Sequence, residues 1–398
     1  MTYSGFLHLH KELFMNNKNQ RDYRPNDIPP RREHRGHSSQ HVLISPHRKR
    51  KRLFTILLVL ALVIFYGGGA YLYHMLANAK SAVNETYTAT NIKKSRNVSK
   101  VLKAKKPISI LLLGTDTGDL GRTDKGRTDT LIVATINPST KRVTLTSIPR
   151  DLQVKVPGSI DSYDKINAAY TIGGVSTAIK TVQNTFHIPI DFYVLVNMGG
   201  LTKIVDAIDG VTVTPPLTFS YEDAHVTKGK KITLNGKEAL SYSRMRYDDP
   251  LGDYGRQKRQ RQIITAIIKK SLSVSTLSSY KELLNTLEEN MKTDLTYDDI
   301  MTIISEYKAA GQSIKSYAVQ GEEAMIDGAS YQVASAAVKQ KNSDRIRNEL
   351  GLEPFDAEFT GRVDHDDSYD STSTTTSTYD NTYSDSYGDS YGTSSYGY

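Results

Sequence analysis

Three observations on the 398-residue sequence predict an α/β fold, a central mixed β-sheet flanked by helices and preceded by a single N-terminal transmembrane helix. Short β-branched and apolar runs alternate with stretches of helical spacing, the pattern of helices layered on a sheet. After Leu240 the spacing becomes mainly helical. One uncharged run, Leu53 to Tyr73, is long enough to cross a bilayer, which takes about 20 apolar residues.

The basic stretch His47 to Arg52 directly precedes that run. By the positive-inside rule residues 1–52 lie in the cytoplasm and everything after Tyr73 lies outside. A cleaved signal peptide is the competing reading, but the run exceeds a typical h-region, and Gly67 to Ala70 offers no clean small-x-small cleavage site. Most of the chain is exported under either reading. Residues 1–52 are rich in Arg, His, Asn and Pro without apolar periodicity. They read as a disordered basic cytoplasmic segment whose end sits on anionic membrane lipid, and Met15, which opens a uniformly polar segment, is an alternative start of translation. The net charge of +8 would ordinarily suggest nucleic acid. An exported core, and no DNA-binding helix pattern in residues 1–52, exclude that partner. With no cysteine in the chain, neither disulfides nor thiolate metal sites are available.

Residues 74–105 mix Asn, Ala, Ser, Thr and Lys and read as an extracellular stalk. Residues 106–352 form the extracytoplasmic domain. In it Ile108 to Leu113 is a buried strand, Thr130 to Ile136 another, and Asn137 to Thr140 a turn into a third that carries Val143 and Leu145. Ile166 to Phe186 keeps helical spacing on either side of Gly173-Gly174, and Phe192 to Val196 is a strand. Leu201 to Ile208 is a short helix stopped by Gly210, ahead of the strand Val211 to Val213. Four helices follow: Tyr254 to Leu272, Tyr280 to Met291, Asp298 to Ala309 and Tyr331 to Leu350. Residues 353–398, dominated by Ser, Asp and Tyr, form a disordered tail.

The chemistry concentrates in a few charged segments. Gly121 to Thr128, GRTDKGRT, nearly spells a phosphate loop, but it feeds a β-branched strand rather than the helix whose amides would hold phosphate. Its charges must act through side chains. Ser147 to Asp151 ends the hairpin, and Arg244 and Arg246 stand at i and i+2, on one side if extended. In the helix opened by Asp253, Arg256 and Gln260 share a face with Ile263 and Ile267. Lys258, Arg259 and Arg261 read as the solvated face of that helix. Arginines directed inward beside carboxylates are costly unless an anion and a cation compensate them, and phosphate with a divalent metal supplies both.

Gly114-Thr-Asp116, Arg127-Thr-Asp129-Thr, Ser147-Ile-Pro-Arg150-Asp151, Asp164-Lys-Ile-Asn-Ala-Ala-Tyr170, Leu234 to Leu240, Arg244-Met-Arg246 and Gly252 to Gln260 together resemble the LytR-CpsA-Psr family, in order, over Lys106 to Ser271. The resemblance implies a membrane-anchored phosphotransferase of a Gram-positive-type envelope. Such an enzyme moves a teichoic acid or capsule-like glycopolymer from a polyprenyl diphosphate carrier onto the muramic acid C6 hydroxyl of peptidoglycan. It implies Asp116 and Asp129 as ligands of Mg2+, and Arg127, Arg150, Arg244, Arg246, Arg256 and Gln260 as the diphosphate holders, with Arg127, Arg150 and Arg246 catalytic. The base for the hydroxyl is Asp116, Asp129, Asp151 or the departing phosphate. Asp151 and Asp164 are as well explained by a salt bridge or cap as by a site role. Asp119, Arg122 and Asp124 match no position of the family's pattern. Two other function classes stand beside this one: a polyprenyl-diphosphate-glycan hydrolase with water as acceptor, and a non-enzymatic envelope sensor or transcriptional attenuator.

Overall fold

The computed structural model describes residues 59, 64–70, 73, 87–90, 92–116, 126–160, 162–271, 290–356 and 358–359. The chain divides into two units, Met1–Phe65 and Tyr66–Tyr398, and the elements below belong to the second. The expected segment 1–52 lies outside the described residues, as do most of the expected membrane span, the loop 117–125, residues 280–289 of an expected helix and the end of the tail. Of the span, residues 59, 64–70 and 73 are described, all helical and exposed. Among the described residues no helix is long and apolar enough to cross a membrane.

The first helix, α1 (Val98–Lys103), is capped by Asn97, whose side chain accepts from the amide of Lys100, and it buries Val101 and Leu102. Strand β1 (Ile108–Thr115) sends Ile108 and Ile110 to one face and Leu111 and Leu113 to the other, all of them buried. Strands β2 (Thr128–Asn137) and β3 (Arg142–Ser147) form the expected hairpin. Its turn is closed by the Asn137 side-chain oxygen, which accepts from the amides of Ser139 and Thr140 at 3.0 Å each.

The short pair β4 (Gln153–Lys155) and β5 (Tyr163–Lys165) leads into α2 (Ala168–Phe186). The helix is interrupted where the sequence placed two glycines: Gly173 and Gly174 leave helical dihedrals, and Gly174 takes φ +68°, a conformation open to glycine. Strand β6 (Phe192–Asn197) and helix α3 (Met198–Ala207) follow. A peripheral layer comes next: β7 (Val211–Val213), β8 (Phe219–Tyr221), β9 (Ala224–Val226), β10 (Ile232–Leu234) and α4 (Gly236–Arg244). Then come α5 (Gly252–Ser271), β11 (Met291–Thr293), α6 (Tyr297–Glu306), β12 (Ser313–Ala318), the hairpin β13 (Glu322–Ile326) and β14 (Ala329–Val333), and α7 (Ala336–Glu349).

The main sheet runs β11-β6-β1-β2-β3-β12. It is mixed: β1 is antiparallel to β2 and parallel to β6, and β12 is parallel to β3. Leu111, Leu131, Val133 and Tyr193 pack on one face with Val182 and Phe186 of α2 and Ile346 of α7. Ile108, Ile132, Leu145 and Phe192 pack on the other with residues of α1, α5 and α6. A separate cluster joins the peripheral strands to α4 and to Ile263 of α5.

Several expectations are corrected. Met291 opens an edge strand rather than ending a helix, and Tyr331 lies in β14, so helix α7 starts at Ala336. The β13–β14 turn is Asp327-Gly328, both at positive φ, the conformation of a two-residue hairpin turn. The expected stalk is partly domain: Tyr87 bridges to Thr293, and Arg96 donates to both carboxylate oxygens of Asp191 and to the carbonyl of Pro107. At the other end the chain stays packed to Phe359. Phe355 stacks on His187 with centroids 4.2 Å apart, and Phe359 meets the same ring edge-on at 4.9 Å.

Candidate active site

The site starts from an irregularity between β1 and β2. Gly114 pairs with Thr130, but Thr115 pairs with Thr128, so Asp129 is the extra residue of a bulge. Bulges re-aim side chains next to functional sites. The bulge needs glycine opposite it, because a Cβ on Gly114 would come to 2.9 Å from that of Thr130. Asp129 and Asp116, which follows the last residue of β1, both line one cavity of about 480 Å3. The cavity lies at the C-terminal ends of the parallel strands β1 and β6, where open α/β sheets bind ligands.

Arginines enter this cavity from three directions. Arg150 comes from the turn after β3, and its Nη1 donates to Asp129 Oδ1 at 2.7 Å while its Nε reaches Asp151 at 3.4 Å. Burial alone would lower its pKa, but the carboxylates of Asp129, Asp151 and Asp253 outweigh that and raise it, so the guanidinium keeps its charge. Arg244 and Arg246 flank buried Met245, which caps the end of α4 and turns the chain into an extended conformation. Arg244 is thus the last residue of the helix, and Arg246 follows its cap. Arg244 Nη1 donates to both carboxylate oxygens of Glu222, at 3.1 and 3.2 Å, and the Arg246 guanidinium lies over the Tyr247 ring at 5.2 Å.

Arg256 comes from α5. It donates to Asp253 Oδ1 at 3.0 and 2.5 Å and to the main-chain carbonyl of Asp129 at 3.3 Å, which ties helix to bulge. Burial would raise the Asp253 carboxyl, but Arg256, Gln257 and Arg150 hold it below its usual value. Gln260, one turn further on, also lines the cavity, together with Ile263, Ile264 and Ile267 from the same helix.

The structure therefore brings Asp116, Asp129, Arg150, Arg244, Arg246, Arg256 and Gln260 into the lining of one cavity. It does not bring Arg127, which is exposed just ahead of β2 and is not part of the cavity lining. Asp151 is held by Arg150 and, at 3.1 Å, by Lys165, while the Asp164 side chain accepts from the amide of Lys165. Both have the structural role open to them.

Lys258, Arg259 and Arg261 are not a solvated face. Lys258 is half-buried and the two arginines are buried; Arg259 bonds Tyr242, Met245 and Asp249, and Arg261 Nη1 donates to Ser147 Oγ at 2.7 Å. Sequence reasoning also passed over Asp253 and Glu222. The spacing of Asp253, three residues before Arg256 on one helix, was the available signal; Glu222 lies in a distant hairpin and gave none.

The same cavity lining includes the apolar side chains of Leu112, Val194, Val196, Leu201, Ile204 and Ile267. A lining that joins arginines and carboxylates to apolar side chains suits an amphiphile with an anionic headgroup. The two aspartates fit Mg2+, which takes oxygen ligands and is commonly held by one or two carboxylates, with water and substrate phosphate completing the shell. No group of three or more His, Asp or Glu side chains placed to hold a metal occurs among the described residues.

Comparison with known proteins points the same way. The LytR_cpsA_psr family model matches residues 71–348. A polyisoprenyl-teichoic acid–peptidoglycan teichoic acid transferase, TagU of Enterococcus faecalis, is 45% identical over 305 residues, covering 76% of this chain and 97% of that one. Among solved structures, the protein gbs0355 of Streptococcus agalactiae superposes with a TM-score of 0.61 at 37% identity, covering 68% of this chain and 96% of that one. TagT bound to LIIa-WTA superposes with a TM-score of 0.57 at 28% identity, covering 67% and 99%.

Proposed function

The chain belongs to the LytR-CpsA-Psr family, and from that premise we propose that it is a transferase that carries a glycopolymer of the teichoic acid class from a polyprenyl diphosphate carrier to peptidoglycan. The observation that carries this reading is one cavity whose lining joins arginines and carboxylates to apolar side chains. The prenyl chain packs on the apolar side chains, and the diphosphate meets Arg150, Arg244, Arg246, Arg256 and Gln260. The muramic acid C6 hydroxyl attacks the phosphorus next to the glycan, a phosphodiester forms, and polyprenyl phosphate leaves.

Phosphoryl transfer is limited mainly by charge on the phosphoryl oxygens, so positioning and fixed positive charge supply most of the catalysis. Arg150 is suited to this, since Asp129 and Asp151 orient its guanidinium before substrate arrives. The proton of the attacking hydroxyl passes to a mouth carboxylate or to the leaving phosphate. Asp116 and Asp129 would hold Mg2+, whose charge would further neutralise the diphosphate. The basic and apolar runs from His47 to Tyr73 support a single-pass anchor with residues 1–52 in the cytoplasm and the catalytic domain outside the cell.

The test gives the full-length chain in detergent Mg2+, a polyprenyl diphosphate oligosaccharide labelled in its sugar, and uncrosslinked peptidoglycan strands. Label on the strands with the wild type, and none with Arg150→Ala, is the expected result. Label released to water would make the enzyme a hydrolase, and no turnover of any lipid donor would favour the sensor. Asp129→Asn should shift the magnesium titration to higher concentration; an unchanged titration would remove Asp129 from the ligand set.

A further inference from the structure

Helix α5 carries Arg256 and Gln260 toward the cavity, and between them it carries Arg259 away from it, 0% exposed. The three hydrogen-bond partners of Arg259 in the protein's 242–249 segment follow one another along the chain. Its Nε donates to the carbonyl of Tyr242 at 3.1 Å, its Nη2 to the carbonyl of Met245 and its Nη1 to the carboxylate of Asp249. Met245 is the residue between the two cavity arginines Arg244 and Arg246. The guanidinium thus grips the C-terminal end of α4, where helix carbonyls are left without partners and cations are favoured.

A second feature welds the same two pieces together. Asp249 lies directly against α5 at Gly255, where any Cβ would overlap its carboxylate. The helix offers bare backbone where the Asp249 carboxylate approaches it. Gly255 adjoins Arg256, so the contact fixes the loop at the level of the cavity wall. A fork with coplanar donors can satisfy separate acceptors at once in a way that a lysine ammonium cannot.

We propose that Arg259, acting through Asp249 and the bare backbone at Gly255, is a positioning residue that sets the spacing between the Arg244–Arg246 half of the cationic wall and the Arg256–Gln260 half, and so the affinity of the wall for a diphosphate headgroup. The inference rests on the reading of this wall as the donor diphosphate site. Arg259 is not among the residues that line the cavity, and its effect reaches the ligand only through the arginines it places.

The experiment measures binding of geranyl diphosphate to the full-length chain in Mg2+ by calorimetry, with the transfer assay and thermal unfolding run in parallel. Gly255→Ala is the cleanest variant. The added Cβ would overlap the Asp249 carboxylate and push the loop off the helix, so the proposal expects at least a tenfold weaker Kd in a chain that still unfolds cooperatively, whereas a clash that only lowered the unfolding temperature would leave the Kd of the folded chain unchanged. Arg259→Lys should weaken binding by a similar factor. In an Arg246→Ala background it should add less than its full factor, because one of the groups it positions is gone. Gly255→Ala and Arg259→Lys both binding within twofold of the wild type would overturn the proposal. So would losses from Arg259→Lys and Arg246→Ala that multiply in full. A wild-type chain that binds the diphosphate but transfers nothing would contradict the transferase reading instead, and the binding ratios would still decide the positioning.

Discussion

The two faces of the central sheet are built from the same kinds of residue and end differently. On the face under α2 and α7, Leu111, Leu131 and Val133 are at most 1% exposed. On the other face Ile108 and Ile110 are buried at the start of β1, yet Leu112 further along β1, and Val194 and Val196 on the neighbouring β6, are only half-buried and line the cavity. One face is closed by packing, and the other is left unfilled where the arginines gather. The difference locates function where the core stops, and it predicts that substitutions on the two faces fail in different ways.

The largest effect belongs to the cationic mouth. Arg150→Ala or Arg246→Ala should lower transfer about 10³-fold, on the order of 4 kcal/mol of transition-state stabilisation, with little change in thermal unfolding. Near-normal transfer by both would break the link between the open face and the chemistry. Next comes the closed face: Leu131→Ala should cost about 3 kcal/mol of stability, read by denaturant unfolding, while the folded fraction keeps normal specific activity. A loss of activity without loss of stability there would mean that the faces are not separate. Third, Val194→Phe adds bulk to the cavity rather than the core. It should weaken donor binding about tenfold and move stability by less than about 1.5 kcal/mol. Destabilisation as large as that of Leu131→Ala would show that the cavity is closed in solution.

The smallest effect is one of pH and sits at the end of α2. His187 is pushed below its usual value of 6.5 by burial and by the charge of Arg347. The neutral ring is therefore the form the folded chain favours. The stability it contributes is fully present above pH 6.5 and is lost as pH falls through the lower folded value. Hydrogen exchange in residues 353–359 should quicken in that window, and His187→Gln should remove the dependence. Asp253, held low by Arg256, behaves alike at more acid pH: its contribution is lost only as pH falls below the usual 3.8. Acid should therefore loosen the C-terminal segment before it disturbs the cavity mouth.

What the sequence made legible follows from the range of the interactions involved. The hairpin β2–β3 was readable because Asn137 closes its turn locally, and the interruption of α2 because two glycines mark it. Strand β11 was not readable: three residues, Met291 to Thr293, carry no period, and their strand character comes from pairing with β6. Strand β12 is half-buried along its whole length and alternates nowhere. The Asp327-Gly328 turn was a readable signal that went unread.

In the site, the helical face shared by Arg256, Gln260 and Ile263 was legible from spacing alone. The direction of Arg259 was not, because a buried arginine and a solvated one look alike until the carbonyls of Tyr242 and Met245 are placed beside one of them. The bulge at Asp129 was equally hidden, since it depends on the register of β1 against β2. Leu112 and Val194 could not be told from core residues, because what distinguishes them is the space beside them.

The central claim is that one cavity seats both ends of a lipid diphosphate. Its most direct test is a prenyl diphosphate carrying a photoreactive group at the far end of its chain, crosslinked to the full-length protein in Mg2+ and mapped by peptide mass. The account predicts adducts on Leu201, Ile204 or Ile267, abolished by excess geranyl diphosphate and weakened by Val194→Phe. Adducts confined to residues outside the cavity, unaffected by the competitor, would contradict it.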